Sequence, residues 1–576
     1  MKPIIALIDS IMIHEGRKTL RFIDKSSLQD RPNEAQLLKI LHDNKDTEYG
    51  RKYDFGNIHS FEEYKAKVPL SNYDDYQPYI QRMIKSKEDN LITSYKVLQY
   101  ADTSGSVGVQ KKIPVTDKMI NIHKKYSFCR TKAMADIYWR KKYGKPVPHE
   151  FGLNTVECEN TVAEDGKIHS SATGSVARRY RRIFKYFLTS PDPIHFPIGG
   201  MNMNYMKARF ALDKDEICFM LSPFMTNIVD VLNFIKNHWE ILCDDIENGT
   251  INPDMCEEKS RPAIMKYIKK NPRRAQQLRE IFKQGFDTPI IPRLWPKMSW
   301  ACAIGNGSFA SYCKKYKKYA GDKVAIDYFV YAASEGMFAC AIEMNKPEFC
   351  LLTDSCFFEF RDPSLPDDCN DTLMMDQLEV GKEYEVIITN LGGFYRYKIQ
   401  DVIRVLGFHN NLPLITFAYR KGQLANIAAE KTTEEHLNEA VTRLGKELNV
   451  DFTDFTLYLD TDSAVSKYVM LLEPDTPIDI DRDGKYSEAF RKIIREVNKE
   501  YADVEDCGSL DKPLILIQQQ ETHALWREYK LMKGSSSNQV KPVRMLDVPI
   551  KQKFFFGLLE PGQKVPNWNV YTKKNI

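Results

Sequence analysis

Over much of the first hundred residues, apolar positions recur three to four apart, which predicts a run of helices. The first plausible strand is Ser94-Tyr-Lys-Val-Leu-Gln-Tyr100, just ahead of a glycine-rich turn. Helical periodicity returns over about 118–141 and 227–246, the latter carried by Ile228, Val231, Leu232 and Ile235. Between these two lies a loop-rich stretch at 191–200, marked by Pro191, Pro193 and Pro197. From Val324 the texture changes: 325–333 and 348–360 are strand-like, and 383–390 and 395–406 alternate as sheet strands do. These elements together predict a mixed α/β body.

After Lys421-Gly422 the pattern restarts in compact form. Thr432-x-x-Glu435 resembles a capping box, and the helix it would open carries Leu437, Ala440, Val441, Leu444 and Leu448 on one face. Strands are expected at 453–459 and 467–472, a helix at 486–501, a strand at 513–519 and a helix at 522–533. The expected organisation is a large mixed α/β domain over 1–422 and a smaller α/β domain over 423–576, with no internal repeat. A length of 576 residues agrees with that division, being too great for one hydrophobic core.

Composition narrows the class. With 43% hydrophobic residues and 28% charged, the chain can bury a sizeable core, which excludes disordered and collagen-like architectures. A balance of 82 Lys+Arg against 78 Asp+Glu weighs against a dedicated nucleic-acid binder. The one basic run, Arg178-Arg-Tyr-Arg-Arg182, reads as a solvated helix face or as a phosphate contact. The 12 cysteines follow no metal-ligand spacing and suit a reducing compartment, so a cytoplasmic protein is expected. No window approaches the roughly 20 apolar residues of a membrane span. The apolar stretch 4–13, interrupted by Asp9, reads as a docking helix rather than a signal peptide.

Three segments carry candidate chemistry. Thr103-Ser-Gly-Ser-Val-Gly-Val-Gln-Lys111 combines hydroxyls, two glycines and a lysine after a strand. Such a loop can offer backbone N–H groups and an ammonium to phosphate oxygens, although an ordinary surface turn has the same composition. Tyr331-Ala-Ala-Ser-Glu-Gly336 closes a strand with an aromatic, a hydroxyl and a carboxylate, suited to a base, a phosphate and Mg²⁺; the alternative is a strand end running into a helix cap. Tyr395-Arg-Tyr-Lys-Ile-Gln-Asp401-Val-Ile-Arg404 is an alternating strand whose Asp401 could accept hydrogen bonds from ribose hydroxyls, or an edge strand decorated with charge.

In this order and at these separations the three segments resemble the adenylate-forming enzymes, and more narrowly the Gretchen Hagen three family of acyl acid-amido synthetases, an auxin-responsive plant family with bacterial members; a bacterial-type member is expected. Further matches are Phe357-Phe-Glu-Phe360, Gly393-Phe-Tyr-Arg-Tyr397, Val405-Leu-Gly-Phe-His-Asn410, Arg420-Lys421, Glu430-Lys-Thr432 and Asn538-Gln-Val-Lys541. The resemblance implies a ligase that uses ATP and Mg²⁺ to convert a small carboxylic acid to its acyl-AMP, then passes the acyl group to an amino acid or other amine. It implies an ATP site formed by Thr103, Ser104, Gly105, Ser106, Gly108, Gly307, Tyr331, Ala332, Ala333, Ser334, Asp401 and Arg420, with Lys111 and Lys541 as the catalytic cations and Glu335 as the Mg²⁺ ligand. Arg130, Met344 and Leu351 fall near the family's acyl-pocket positions, and the smaller domain would be mobile and carry Lys541. Neither a nucleic acid nor a membrane is an expected partner, and the oligomeric state stays open with a monomer as default.

The chain departs from the family pattern in three places. Its phosphate loop is one residue shorter than the common plant form, Gln400 stands where the family has Gly, and the lysine segment reads Lys541-Pro-Val-Arg544 instead of Lys-x-Pro-Arg. A positive φ at position 400 would strain Gln by about 1 kcal/mol or more. Two rivals follow: an acyl-adenylating ligase that uses coenzyme A or another thiol as acceptor, and a non-catalytic relative that binds nucleotide or RNA.

Overall fold

The computed structural model describes residues 2–102, 111–158, 161–162, 168–169, 178, 181–182, 184–366, 369–421, 425, 427, 430, 432–461, 463, 465–533 and 540–565. These divide into two compact units. One takes in Met1–Asn306 and Tyr312–Phe417, the other Ala418–Ser536, Val540–Ile576 and the turn Gly307–Ser311. Gly422, the expected boundary, lies outside the described residues.

In the first unit the helix Lys2–Ser27 is fastened along its length to the helix Phe128–Tyr143. Asp9 accepts from Lys132 in a pair that is almost fully buried, and Arg17 reaches Asp136 at 2.8 Å. The stretch read as one helix over 118–141 is two, Asp117–Tyr126 and Phe128–Tyr143, broken at Ser127 with ψ −120°. The helix Met225–Asn248 is long but kinked at His238, where φ is −134°.

Strands β1 (Val97–Asp102) and β2 (Lys112–Thr116) form an antiparallel hairpin, extended by the two-residue strands Ile168–His169 and Thr161–Val162. A second sheet is wholly parallel: β3 (Phe151–Asn154), β4 (Ile217–Phe224), β5 (Trp300–Ile304) and β6 (Ala325–Asp327) lie in sequence order. Its strands are buried nearly throughout, as expected of a parallel sheet covered on both faces. The third sheet has seven strands: β7 (Val330–Ala333), β8 (Gly336–Ala341), β9 (Phe349–Leu351), β10 (Cys356–Arg361), β11 (Glu383–Asn390), β12 (Tyr397–His409) and β13 (Leu412–Arg420). Their spatial order is β10-β11-β12-β13-β9-β8-β7. The expected strand at 325–333 is therefore split between two sheets, and Phe329, with φ 68°, makes the turn between them.

The second unit has its own core around β14 (Phe452–Asp460), β15 (Lys467–Pro474) and β16 (Leu514–Ile517), with β14 and β15 antiparallel and β15 and β16 parallel. The helix Glu434–Leu448 packs Leu437, Ala440, Val441 and Leu444 into it, as the periodicity predicts. The cap is a correction. Thr433, not Thr432, accepts from the backbone of His436, while Thr432 is buried and its hydroxyl accepts from Asn498 at 2.9 Å. Asn498 in turn breaks the helix expected over 486–501 into Lys485–Val497 and Lys499–Asp506, capping the second at Tyr501.

Candidate active site

The seven-stranded sheet brings the second and third motifs together by curling. β7 and β12 are four strand spacings apart, about 19 Å in a flat sheet. Yet the Tyr331 hydroxyl on β7 donates to Asp401 Oδ2 on β12 at 2.8 Å. Beyond β7, the two-residue turn Ser334-Glu335 leads into β8, with Ala333 paired to Gly336. The segment is thus a tight β-hairpin and not a strand capped by a helix. Asn390 on β11 donates to the Glu335 carbonyl at 2.8 Å, and the Tyr397 hydroxyl lies 3.4 Å from Glu335 Oε1. The β7 end of the sheet therefore curls over β11 and β12, and Tyr331, Glu335 and Asp401 sit buried at the seam, each 6–7% exposed. Ala332, Ala333 and Ser334 are half-buried beside them.

A bulge aims Asp401. Ile387 pairs with Lys398 while Glu385 pairs with Val402, so three residues of β12 stand against one of β11. Gln400 occupies the middle of that bulge with φ 66°, exposed to solvent. The condition under which the glutamine would be strained is therefore met: it sits in the left-handed region. Just upstream, Arg396 also has positive φ, 48°, and is held by Glu359 at 2.8 Å, Asn370 at 2.6 Å and the Val68 carbonyl at 2.8 Å. Tyr395 stacks on Tyr49 with ring centroids 5.0 Å apart and donates to the Ile92 carbonyl. The Gly393–Tyr397 motif thus ties the early helices to the sheet, and its Tyr397 touches Glu335. Sequence reasoning missed Asn390 and Tyr397 as neighbours of Glu335; the alternation of β12, which separates Tyr397 from Asp401 by an even number of positions, was the available signal.

Of the phosphate-loop positions, Thr103, Ser104, Gly105, Ser106 and Gly108 lie outside the described residues. The flanks are pinned, since Asp102 pairs with Lys112 across the hairpin and the Lys112 amide donates to the Tyr73 hydroxyl at 2.8 Å. Lys111 extends its ammonium over the Tyr73 ring, 5.4 Å from the centroid. The loop joins two strands rather than a strand and a helix.

The acyl-pocket positions divide. Arg130 is fully buried and fully engaged: it pairs with Asp327 at 2.9 Å, donates to the Tyr126 carbonyl at 2.8 Å and the Phe329 carbonyl at 3.1 Å, and also bonds the Ala341 carbonyl. Through these bonds it joins the helix Phe128–Tyr143 to both large sheets. Met344 and Leu351 belong to the same apolar core, 7% and 1% exposed.

In the second unit, Gly307 opens a 3₁₀ turn with φ 54° and Arg420 ends β13, half-buried. Lys541 is exposed on a segment without regular structure that lies along β14. The amide of Leu457 donates to the Arg544 carbonyl at 2.9 Å, and the amide of Leu546 donates to the Leu457 carbonyl at 2.9 Å.

For Mg²⁺, no group of three or more His, Cys, Asp or Glu side chains converges among the described residues. A single buried carboxylate, Glu335, suits an ion that takes one or two protein oxygens and completes its shell with phosphate and water. Nine of the cysteines are buried and all 12 are free thiols, so they serve largely as small apolar residues. In the basic run, Arg181 pairs with Asp192 at 2.8 Å and lies over the Phe196 ring, so it acts as part of a solvated face. Among the described residues no helix is long and apolar enough to cross a membrane.

A parallel sheet, a curled antiparallel sheet and a smaller α/β unit make up a fold shared with enzymes that form acyl-adenylates. The structure of a 2-hydroxyisobutyryl-CoA ligase in its postadenylation state superposes with TM-score 0.52 at 12% identity, covering 90% of each chain. A solved GH3.15 acyl acid amido synthetase superposes with TM-score 0.79 at 22% identity, over 92% of this chain and 94% of that one. Three family models match in succession: the GH3 family N-terminal domain over 21–325, the central domain over 349–420 and the C-terminal domain over 435–549. The chain belongs to the GH3 family. Among curated relatives, a jasmonoyl–L-amino acid synthetase, GH3.5 of Oryza sativa subsp. japonica, is 28% identical over 76% of this chain and 79% of its own length.

Proposed function

We infer that this protein is an ATP-dependent acyl acid-amido synthetase. It adenylates a small carboxylic acid, releasing pyrophosphate, and then transfers the acyl group from AMP to the amine of an amino acid. The observation that carries this reading is the meeting of Tyr331, Glu335 and Asp401 at one buried seam, with Tyr331 and Asp401 70 positions apart, in a chain of the GH3 family.

A carboxylate resists attack by an amine because its leaving group would be oxide. Its oxygen instead attacks the α-phosphorus of ATP, pyrophosphate departs, and the acyl carbon acquires AMP as a good leaving group. Negative charge gathers on phosphoryl oxygens in that transition state, and groups aimed at it in advance lower the barrier. In this assignment Asp401 accepts from ribose hydroxyls, Tyr331 with Ala332 and Ala333 flanks the adenine, and Ser334 lies by the α-phosphate. Residues 103–108 and Lys111 cradle the remaining phosphates, with Gly307 and Arg420 on the nucleotide side. Glu335 would hold Mg²⁺, which when bound offsets phosphate charge. Lys541, carried by residues 423–576, supplies a further cation to the developing charge, and movement of that domain would exclude water before the amine attacks.

The test is carboxylate-dependent exchange of labelled pyrophosphate into ATP over a panel of acids, followed by mass spectrometry of products formed with mixed amino acids. Exchange together with an acid-dependent amide is the expected result. Exchange with a thioester only, when coenzyme A is supplied, would make a thiol the acceptor; no exchange with any acid would overturn the enzymatic reading.

A further inference from the structure

Residues 540–548 form no helix or strand; they are held by main-chain bonds to β14, by the buried Val543 and Leu546, and by one charged side chain, Arg544. Arg544 lies three residues beyond Lys541, so the two α-carbons are at most about 11 Å apart. Its side chain is 12% exposed and ties the segment to two elements. It donates to Glu434 Oε1 at 2.7 Å in the first turn of the helix Glu434–Leu448, to Asp454 Oδ1 at 2.5 Å and to the Phe455 carbonyl at 3.0 Å on β14, and it lies 4.5 Å above the Phe455 ring. Asp454 is buried, and its other oxygen is 3.5 Å from the ring of the buried His523. Main-chain contacts lie on the same stretch: Thr456 donates to the Val543 carbonyl at 2.8 Å, and Val543 is buried.

We propose that Arg544, clamped by Asp454 and Glu434, is a positioning residue that fixes the direction from which Lys541 leaves the domain surface. The inference rests on the reading of Lys541 given above. A guanidinium can reach two carboxylates and a carbonyl at fixed angles, whereas an ammonium is a point charge that holds no such fork. The departure from the family's Lys-x-Pro-Arg spacing keeps the arginine three residues after the lysine, so the clamp survives the moved proline.

The test is a double-mutant cycle on the full-length protein, read as pyrophosphate exchange with the most active acid, with thermal unfolding of each variant as a check on folding. Arg544→Ala should lower kcat about 100-fold with the KM for ATP little changed, because loss of geometry far from the bound ground state appears in the rate. Arg544→Lys, which keeps the charge and threatens the fold less, should lie nearer to Arg544→Ala than to the unaltered protein. Adding Arg544→Ala or Arg544→Lys to Lys541→Ala should cause no further loss, since a residue that acts through Lys541 has nothing left to position. A double variant that loses the product of the two single effects would overturn the positioning role while leaving Lys541 catalytic. A Lys541→Ala protein with undiminished exchange would overturn the assignment of Lys541, and the role of Arg544 with it.

Discussion

Gln400 shows how far one side chain can be read without coordinates. The family glycine at its position raised the question of a positive φ without answering it, and a φ of 66° in the β12 bulge is what the chain adopts. A glutamine there carries strain of about 1 kcal/mol, part of which glycine would return as added freedom in the unfolded chain. Gln400→Gly should therefore raise the unfolding free energy by up to about 1 kcal/mol in a denaturant titration; a clear loss of stability would show that the bulge does not strain this residue. Arg130 is the opposite case. A helix-borne arginine gives no hint that its partner Asp327 lies 197 positions away, and only the packing of the helix against two sheets buries the pair. Buried histidines are equally silent in sequence. Burial pushes His123 and His195 down to about 4 from 6.5, so between those values the unfolded chain binds protons that the folded chain refuses. Their contribution is complete above pH 6.5 and is lost as pH falls toward 4, roughly 3 kcal/mol for each. Removing one of them by His123→Leu should flatten the dependence of Tm on pH across that window, and an unchanged slope would place its source elsewhere.

At the scale of elements, the periodicities marked the helix Met225–Asn248, most strands of the seven-stranded sheet and the elements of the smaller unit, but not β3, β4 and β5 of the parallel sheet nor the helices Met203–Leu212, Pro272–Phe282 and Ala310–Ala320. The stretch 325–333 reads as one strand because Ile326, Tyr328, Phe329, Val330 and Tyr331 favour β structure and no Gly or Pro interrupts them, yet its two halves serve a parallel and an antiparallel sheet. The 118–141 helix breaks at Ser127 and the 486–501 helix at Asn498, both polar residues able to satisfy freed backbone groups where tertiary packing needs a change of direction. Curling of the seven-stranded sheet is the element-scale fact on which the site depends, and no local pattern encodes it. Its seam is the Tyr331 to Asp401 hydrogen bond, which orients a carboxylate proposed to bind ribose. Tyr331→Phe keeps the ring and removes the donor to a charged group, a loss of about 1.5–3 kcal/mol. If Asp401 holds the ribose, that variant should raise the KM for ATP about tenfold or more in pyrophosphate exchange, and it should also lower Tm because the same bond is lost from the folded protein. A KM equal to that of the unaltered protein would remove the seam from the nucleotide site.

For the whole molecule, the division into a large unit and a smaller one bears on how two chemically different steps share one chain. The first step builds charge on phosphoryl oxygens, whereas the second expels AMP, already a good leaving group, from an activated acyl carbon. If Lys541 is the cation that the smaller domain supplies, it is needed most in the first step. Lys541→Ala should suppress pyrophosphate exchange by about 10²–10³-fold, the range seen when one preorganised electrostatic group is removed. The same variant, supplied with chemically prepared acyl-adenylate and an amino acid, should form amide within a few-fold of the unaltered rate, because the bond that required Lys541 has already been made. Equal losses in both assays would mean that Lys541 serves both steps or that the variant is misfolded. Unfolding curves separate these outcomes, since an exposed lysine on an anchored segment can be truncated without opening a core. Loss confined to the first assay would divide the labour between the units: the curled sheet holds the nucleotide throughout, and the smaller domain contributes its charge only while the phosphoryl bond is changing.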